Sequence, residues 1–131
     1  MDRLFIEPTE STLHVDFDPQ NGTLAMRGES YPENAIKFFS PILDWLKQYL
    51  GGLQAGARVL VNMDIVYFNS SSSKALMNCF DAFDDAARRG VRVDIAWHHH
   101  EENEIAKECG EEFGEELEAA SFTIRPYKDS P

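Results

Sequence analysis

Four consecutive serines, Ser70, Ser71, Ser72 and Ser73, follow directly on the apolar, β-branched run that ends at Phe68, and they are the hydroxyls best placed for chemistry. Beyond them Leu76, Cys79, Phe80, Phe83 and Ala87 recur at helical spacing, so the strand runs into serines at the mouth of a helix. A helix N-terminus presents backbone N–H groups without intrahelical partners and the positive end of the helix dipole, and therefore stabilises a phosphate. Phosphorylation there would change the local charge by about -1.5 to -2. The same residues suit a plainer task, because Asn69 or any one of the serines could cap the helix. Capping alone needs only one such side chain. Lys74, one turn in, is either a surface lysine or the cation that helps neutralise a phosphoserine.

A second constellation is His98, His99 and His100, backed by Glu101, Glu102 and Glu104. It offers the alternative of a small metal-binding protein or enzyme. Consecutive residues at a strand end point in different directions, so three adjacent imidazoles seldom converge on one ion, and we assign no metal. The acidic run over 101–118 reads as a solvated helix face rather than as paired catalytic carboxylates. No nucleophile elbow, Walker loop or GxGxxG is present, so no catalytic residue and no cofactor are assigned.

The elements that must hold these groups follow from patterning. Residues 12–17 alternate, turn residues follow at 18–22, and 23–27 alternate again, which predicts a β-hairpin. Over 32–50 the apolar residues fall at helical spacing, with Gly51 and Gly52 as the stop; Pro41 either kinks this helix or, with Ser40 as a cap, begins its second half. Phe38 and Trp45 border its apolar face, an aromatic pair that suits either core packing or a partner-docking edge. A strand over 58–68, a helix over 71–89, a strand over 91–97, an acidic helix over 101–118 and a short strand at 122–124 complete the order β-β-α-β-α-β-α-(β). That order implies an α/β fold with a mixed sheet, and alternating strands imply helices mainly on one face.

The 131 residues fit a single domain, 1–131, large enough to fold without disulfide or metal staples. A net charge of -11, from 23 acidic and 12 basic residues, disfavours nucleic acid and anionic membranes as partners. Cys79 and Cys109 stand alone at apolar helical positions and read as reduced core thiols. With no signal-like N-terminus and no run long enough to span a bilayer, the expected location is the cytoplasm.

The element order, with serines directly after the third strand, resembles the STAS domain of anti-sigma-factor antagonists, in which an Asp-Ser-Ser-Gly segment opens the second long helix and its first serine is phosphorylated. Here the segment is Asn69, Ser70, Ser71, Ser72, with Asn69 in place of the acid and Ser72 in place of the glycine. A closer resemblance, spanning nearly the whole chain, is to the SiaC family of biofilm-regulating phosphoproteins. It is carried by the run Ser30, Tyr31, Pro32, Glu33, Asn34, by Asp44 and Trp45, by Tyr67 through Ser72, and by Trp97 and His98 before the acidic helix.

That resemblance implies a STAS-like, non-catalytic switch. A histidine-kinase-like Ser/Thr kinase phosphorylates it, a PP2C-type phosphatase restores it, and the unphosphorylated form binds and activates a diguanylate cyclase in c-di-GMP signalling. It maps the phosphoacceptor onto Ser70, with Ser71 as the alternative. The expected docking surface comprises Asn69, Ser71, Ser72 and Lys74 with the Phe38 and Trp45 edge.

Overall fold

The computed structural model describes residues 1–129. Three strands, β1 (Leu4–Ile6), β2 (His14–Asp18) and β3 (Thr23–Ser30), form an antiparallel meander. Each later strand is reached through a helix: α1 (Ala35–Gly51) to β4 (Arg58–Phe68), α2 (Ser70–Arg88) to β5 (Arg92–His100), and α3 (Glu104–Glu115) to β6 (Ser121–Tyr127). The strands lie in the order β1-β2-β3-β4-β5-β6, parallel from β3 onward. Every crossover steps one strand in the same direction, and the right-handed rule puts all three helices on one face.

Burial follows this geometry. Val15, Phe17, Leu24, Met26, Val59, Val61, Met63, Ile65, Val93, Ile95 and Trp97 point under the helices and are buried, whereas the intervening Asp16, Ala25, Asn62, Asp64 and His98 take the opposite, uncovered face. The mixed sheet with helices on one side is therefore the architecture the patterning implies.

Some boundaries differ from the sequence expectation. Strand β1 was not anticipated, since three residues ahead of a proline carry no readable alternation; it is held by pairing with β2 and by Arg3, whose guanidinium donates to both Asp16 oxygens at 2.7 and 2.6 Å. Strand β6 runs seven residues instead of three, because Pro126 sits on an edge strand where its missing N–H is not needed. Strand β5 continues through the three histidines, and α3 starts only at Glu104 because Asn103 caps it, accepting from the Ala106 amide at 3.0 Å. Helix α1 passes Pro41 unbroken.

Candidate functional site

The helix mouth is shaped by a slip in the sheet. Gly28 pairs with Ile65 but Glu29 pairs with Tyr67, which leaves Val66 of β4 without a partner on β3. Such a bulge inverts the alternation beyond it. Tyr67 is turned out to solvent, where it meets Tyr31 edge-on at 6.1 Å, and Phe68 is turned in against Phe113. Gly28 has φ of 112°, a conformation that other residues rarely adopt.

Asn69 is the N-cap of α2. Its side-chain oxygen accepts from the Ser72 amide at 3.0 Å, and its own amide donates to the Ser30 carbonyl at 3.0 Å. The Ser72 hydroxyl donates to that same carbonyl at 3.0 Å, and the Ser30 hydroxyl in turn lies 2.7 Å from the Ser72 oxygen. With Asn69 serving as cap, the hydroxyls of the serine run are released from capping.

Burial then sorts the four serines. Ser72 is wholly buried, so the expectation that it contacts a partner is corrected: its hydroxyl is consumed in the bond to Ser30 and it never reaches the surface. Ser73 is half-buried at the edge of a cleft of about 200 Å³ between α2 and α3, floored by Phe68, Cys109 and Phe113. Ser70 and Ser71 are exposed. Ser71 borders a groove of about 340 Å³ between α1 and α2, with Ile36, Phe39, Leu43 and Lys74 around it. Ser70 is the first helical residue, and its amide and that of Ser71 come before the first intrahelical donor, the Ser73 amide, so neither has an acceptor within the helix. Lys74, one turn beyond Ser70, forms no ion pair among the described residues.

The structure does not bring Phe38 and Trp45 to this mouth. Ile36, Ser40 and Leu43 face α2, whereas Phe38 and Trp45 lie on the other flank of α1. Trp45 packs on Phe17 at 5.2 Å and Tyr49 at 4.9 Å, and its indole N–H donates to the Asp2 carbonyl at 2.8 Å. Phe38 is half-buried, edge-on to Phe39 at 5.0 Å. The apolar residues that do surround the mouth are Tyr31, Tyr67 and Ile36, the last 80 % exposed. Sequence reasoning missed them; the signal for Ile36 was its position at the end of the helix's apolar arc, where it could be mistaken for core.

The histidines alternate along β5: His98 and His100 take the uncovered face and His99 is buried on the helix face. Burial lowers the pKa of His98, with Arg125 acting in the same sense against the opposing pull of Asp64, and its Nε2 lies 3.1 Å from the Asn62 side-chain oxygen. Among the described residues no group of three His, Cys, Asp or Glu side chains is placed to hold a metal ion. Cys79 is fully buried, which pushes its thiol up to about 12, and Cys109 is raised by burial and by Glu112 and Glu108, so neither is a ready nucleophile. No described helix is long and apolar enough to cross a membrane.

Comparison with known proteins bears on what this surface does. The family model for SiaC family regulatory phosphoproteins matches residues 6–127. An uncharacterised protein of Pseudomonas aeruginosa strain UCBPP-PA14 is 38% identical over 130 residues, covering 98% of this chain and 100% of that protein. The crystal structure of apo-SiaC from Pseudomonas aeruginosa superposes with a TM-score of 0.86 at 34% identity, over 95% of this chain and 99% of that one. A chain from the crystal structure of the diguanylate cyclase SiaD in complex with its activator SiaC, from the same organism, matches with a TM-score of 0.88 at 35% identity, over 95% and 99% of the two chains.

Proposed function

Since the chain belongs to the SiaC family of regulatory phosphoproteins, we propose that it is a non-catalytic, cytoplasmic binding switch, a single domain over 1–131, whose unphosphorylated form docks on and activates a diguanylate cyclase. A histidine-kinase-like Ser/Thr kinase sets the switch by phosphorylating Ser70, and a PP2C-type phosphatase resets it. Ser71 is the alternative acceptor. The observation that carries the reading is the division of labour at the helix mouth: Asn69 caps, Ser72 is buried, and Ser70 stands exposed at the first helical position with no structural duty among the described residues. The partner suggestion rests on the structural relative, which is the activator in complex with its cyclase.

The chemistry of the mouth suits both states. A phosphate on Ser70 meets the unpaired amides of the first turn, the positive end of the α2 dipole, and Lys74, which together hold it at the surface. The unphosphorylated mouth is flanked by exposed Tyr31, Tyr67 and Ile36, the apolar and aromatic composition of an interface centre. In this reading the docking surface is Ser70, Ser71 and Lys74 with those three residues. Asn69 contributes by fixing the turn, and Phe38 and Trp45 support α1 from its far flank. Phosphosite mapping tests the assignment. After reaction with the cognate kinase and ATP, the phosphate is expected on Ser70 and absent from the Ser70→Ala protein; full labelling of that variant would exclude it.

A further inference from the structure

We propose that Ser30 and Ser72 are positioning residues for phosphoryl transfer: their buried hydroxyl pair fixes the first turn of α2 against the end of β3 and so presents the Ser70 hydroxyl to the kinase. The inference rests on the reading of the helix mouth as the phosphorylation site. It comes from the density of bonds at one point. The Ser30 carbonyl accepts from both the Asn69 amide and the Ser72 hydroxyl, each at 3.0 Å, and the two hydroxyl oxygens are 2.7 Å apart. Since the single Ser72 hydroxyl proton goes to the carbonyl, Ser30 is the donor in the hydroxyl–hydroxyl bond. Asn69 and Ser72, which bracket Ser70 and Ser71, are thus both tied to one residue of the neighbouring strand, and to each other at 3.0 Å.

The sheet is built to make this contact. Ser30 pairs with Phe68 only because the slip after Gly28 skips Val66; without the slip Ser30 would pair with Tyr67 and sit one residue away from the turn. Both serines are wholly buried, in a place where two alanines would fill nearly the same volume. A hydroxyl pair offers direction where an apolar pair offers only contact. Direction matters for group transfer, since misplacing a reacting atom by about 1 Å can cost on the order of a hundredfold in rate. The reaction itself is ordinary transfer from ATP: the Ser70 oxygen bonds to the γ-phosphorus, the bond to the ADP oxygen breaks, and the hydroxyl proton passes to a base of the kinase.

The test compares wild type with Ser30→Ala/Ser72→Ala and Ser30→Thr as substrates of the cognate kinase, all shown to be folded by thermal melts. The double variant removes donor and acceptor together, so it avoids leaving a buried hydroxyl unpaired and is expected to fold. The expected result is a kcat about tenfold lower with KM within about twofold of wild type, and recovery of kcat in Ser30→Thr, which keeps the hydroxyl. A folded double variant phosphorylated at the wild-type kcat, or one changed only in KM, overturns the proposal. Mapping the phosphate separates the two layers. Label on Ser71 of the wild type displaces Ser70 as acceptor while the kcat ratio still judges the serine pair, which brackets both; a wild type that takes no label at either residue overturns both.

Discussion

Asp84 offers the sharpest quantitative test of how the fold is held together. It sits on α2, 4 % exposed, on the apolar side of the helix. Its carboxylate accepts from the amides of Ala119 at 2.8 Å, Ala120 at 2.9 Å and Glu118 at 3.2 Å, and meets Arg88 at 3.1 Å. One side chain thereby organises the turn that ends α3 and begins β6. Asp84→Ala leaves three amides without their acceptor. Bonds to a charged group contribute about 1.5–3 kcal/mol each, and water can reach Glu118 and Ala119, so we expect a net loss of about 3 kcal/mol, equivalent to about 10 °C in Tm for a chain of this size.

Asp84→Asn keeps one acceptor oxygen and should lose about half as much. Arg88→Ala removes a half-exposed guanidinium that pairs with Asp84, Asp85 and Glu118, and because solvent screens these pairs it should cost only about 1 kcal/mol. The pH dependence adds a second signature. Burial alone would raise the Asp84 pKa, but the amides of Ala120, Ala119 and Glu118, with Arg88, outweigh it and hold the carboxyl below its ordinary value. A lowered folded-state pKa gives stability that is present above the unfolded value of about 3.9 and is lost as pH falls through the folded one. Asp84→Asn should therefore flatten the acid limb of the stability profile below about pH 4. Urea melts at neutral and acid pH measure both effects; a neutral-pH loss under about 1 kcal/mol for Asp84→Ala would refute the reasoning.

Two further predictions concern packing and docking. A Cβ at Gly110 would overlap the Trp97 indole ring, and the Trp97 indole N–H donates to the Ala106 carbonyl at 3.0 Å on the same helix, so Gly110→Ala should push α3 off the sheet and destabilise by about 2 kcal/mol or more in a denaturant melt. Ile36→Glu should leave stability within about 0.5 kcal/mol, because the side chain is exposed, yet weaken cyclase binding about tenfold or more by titration calorimetry.

The strands and helices were legible in the sequence wherever alternation or helical spacing ran for five residues or more, which is why the hairpin, α1, β4 and α2 were anticipated within a residue or a few at their ends. Strand β1 is too short to show a period, and β6 is interrupted by Arg125 and Pro126, which only an edge position tolerates. At the site, the serine run announced the helix mouth but not the roles within it. Four equivalent letters become a buried anchor, a half-buried rim residue and two exposed hydroxyls only once β3 is laid beside them. Ser72 was misjudged for that reason, since its partner Ser30 is 42 residues away in the chain and is brought near by a one-residue slip in register. For Phe38 and Trp45 helical spacing marks the border of a buried arc but not which neighbour covers it, so core packing and a docking edge read alike in the sequence, and only the fold sets the pair on the flank of α1 away from α2.

The central claim, that phosphate at the helix mouth turns docking off, is tested most directly by titrating the diguanylate cyclase with unphosphorylated and stoichiometrically phosphorylated protein in a calorimeter. Burying a charge of about -1.5 to -2 against a partner should cost several kcal/mol, and even three of these, at about 1.4 kcal/mol per tenfold, weaken binding on the order of a hundredfold. Ser70→Ala is predicted to bind like the unphosphorylated protein and to stay bound after incubation with kinase and ATP. Equal affinity of the fully phosphorylated protein and Ser70→Ala would contradict the account.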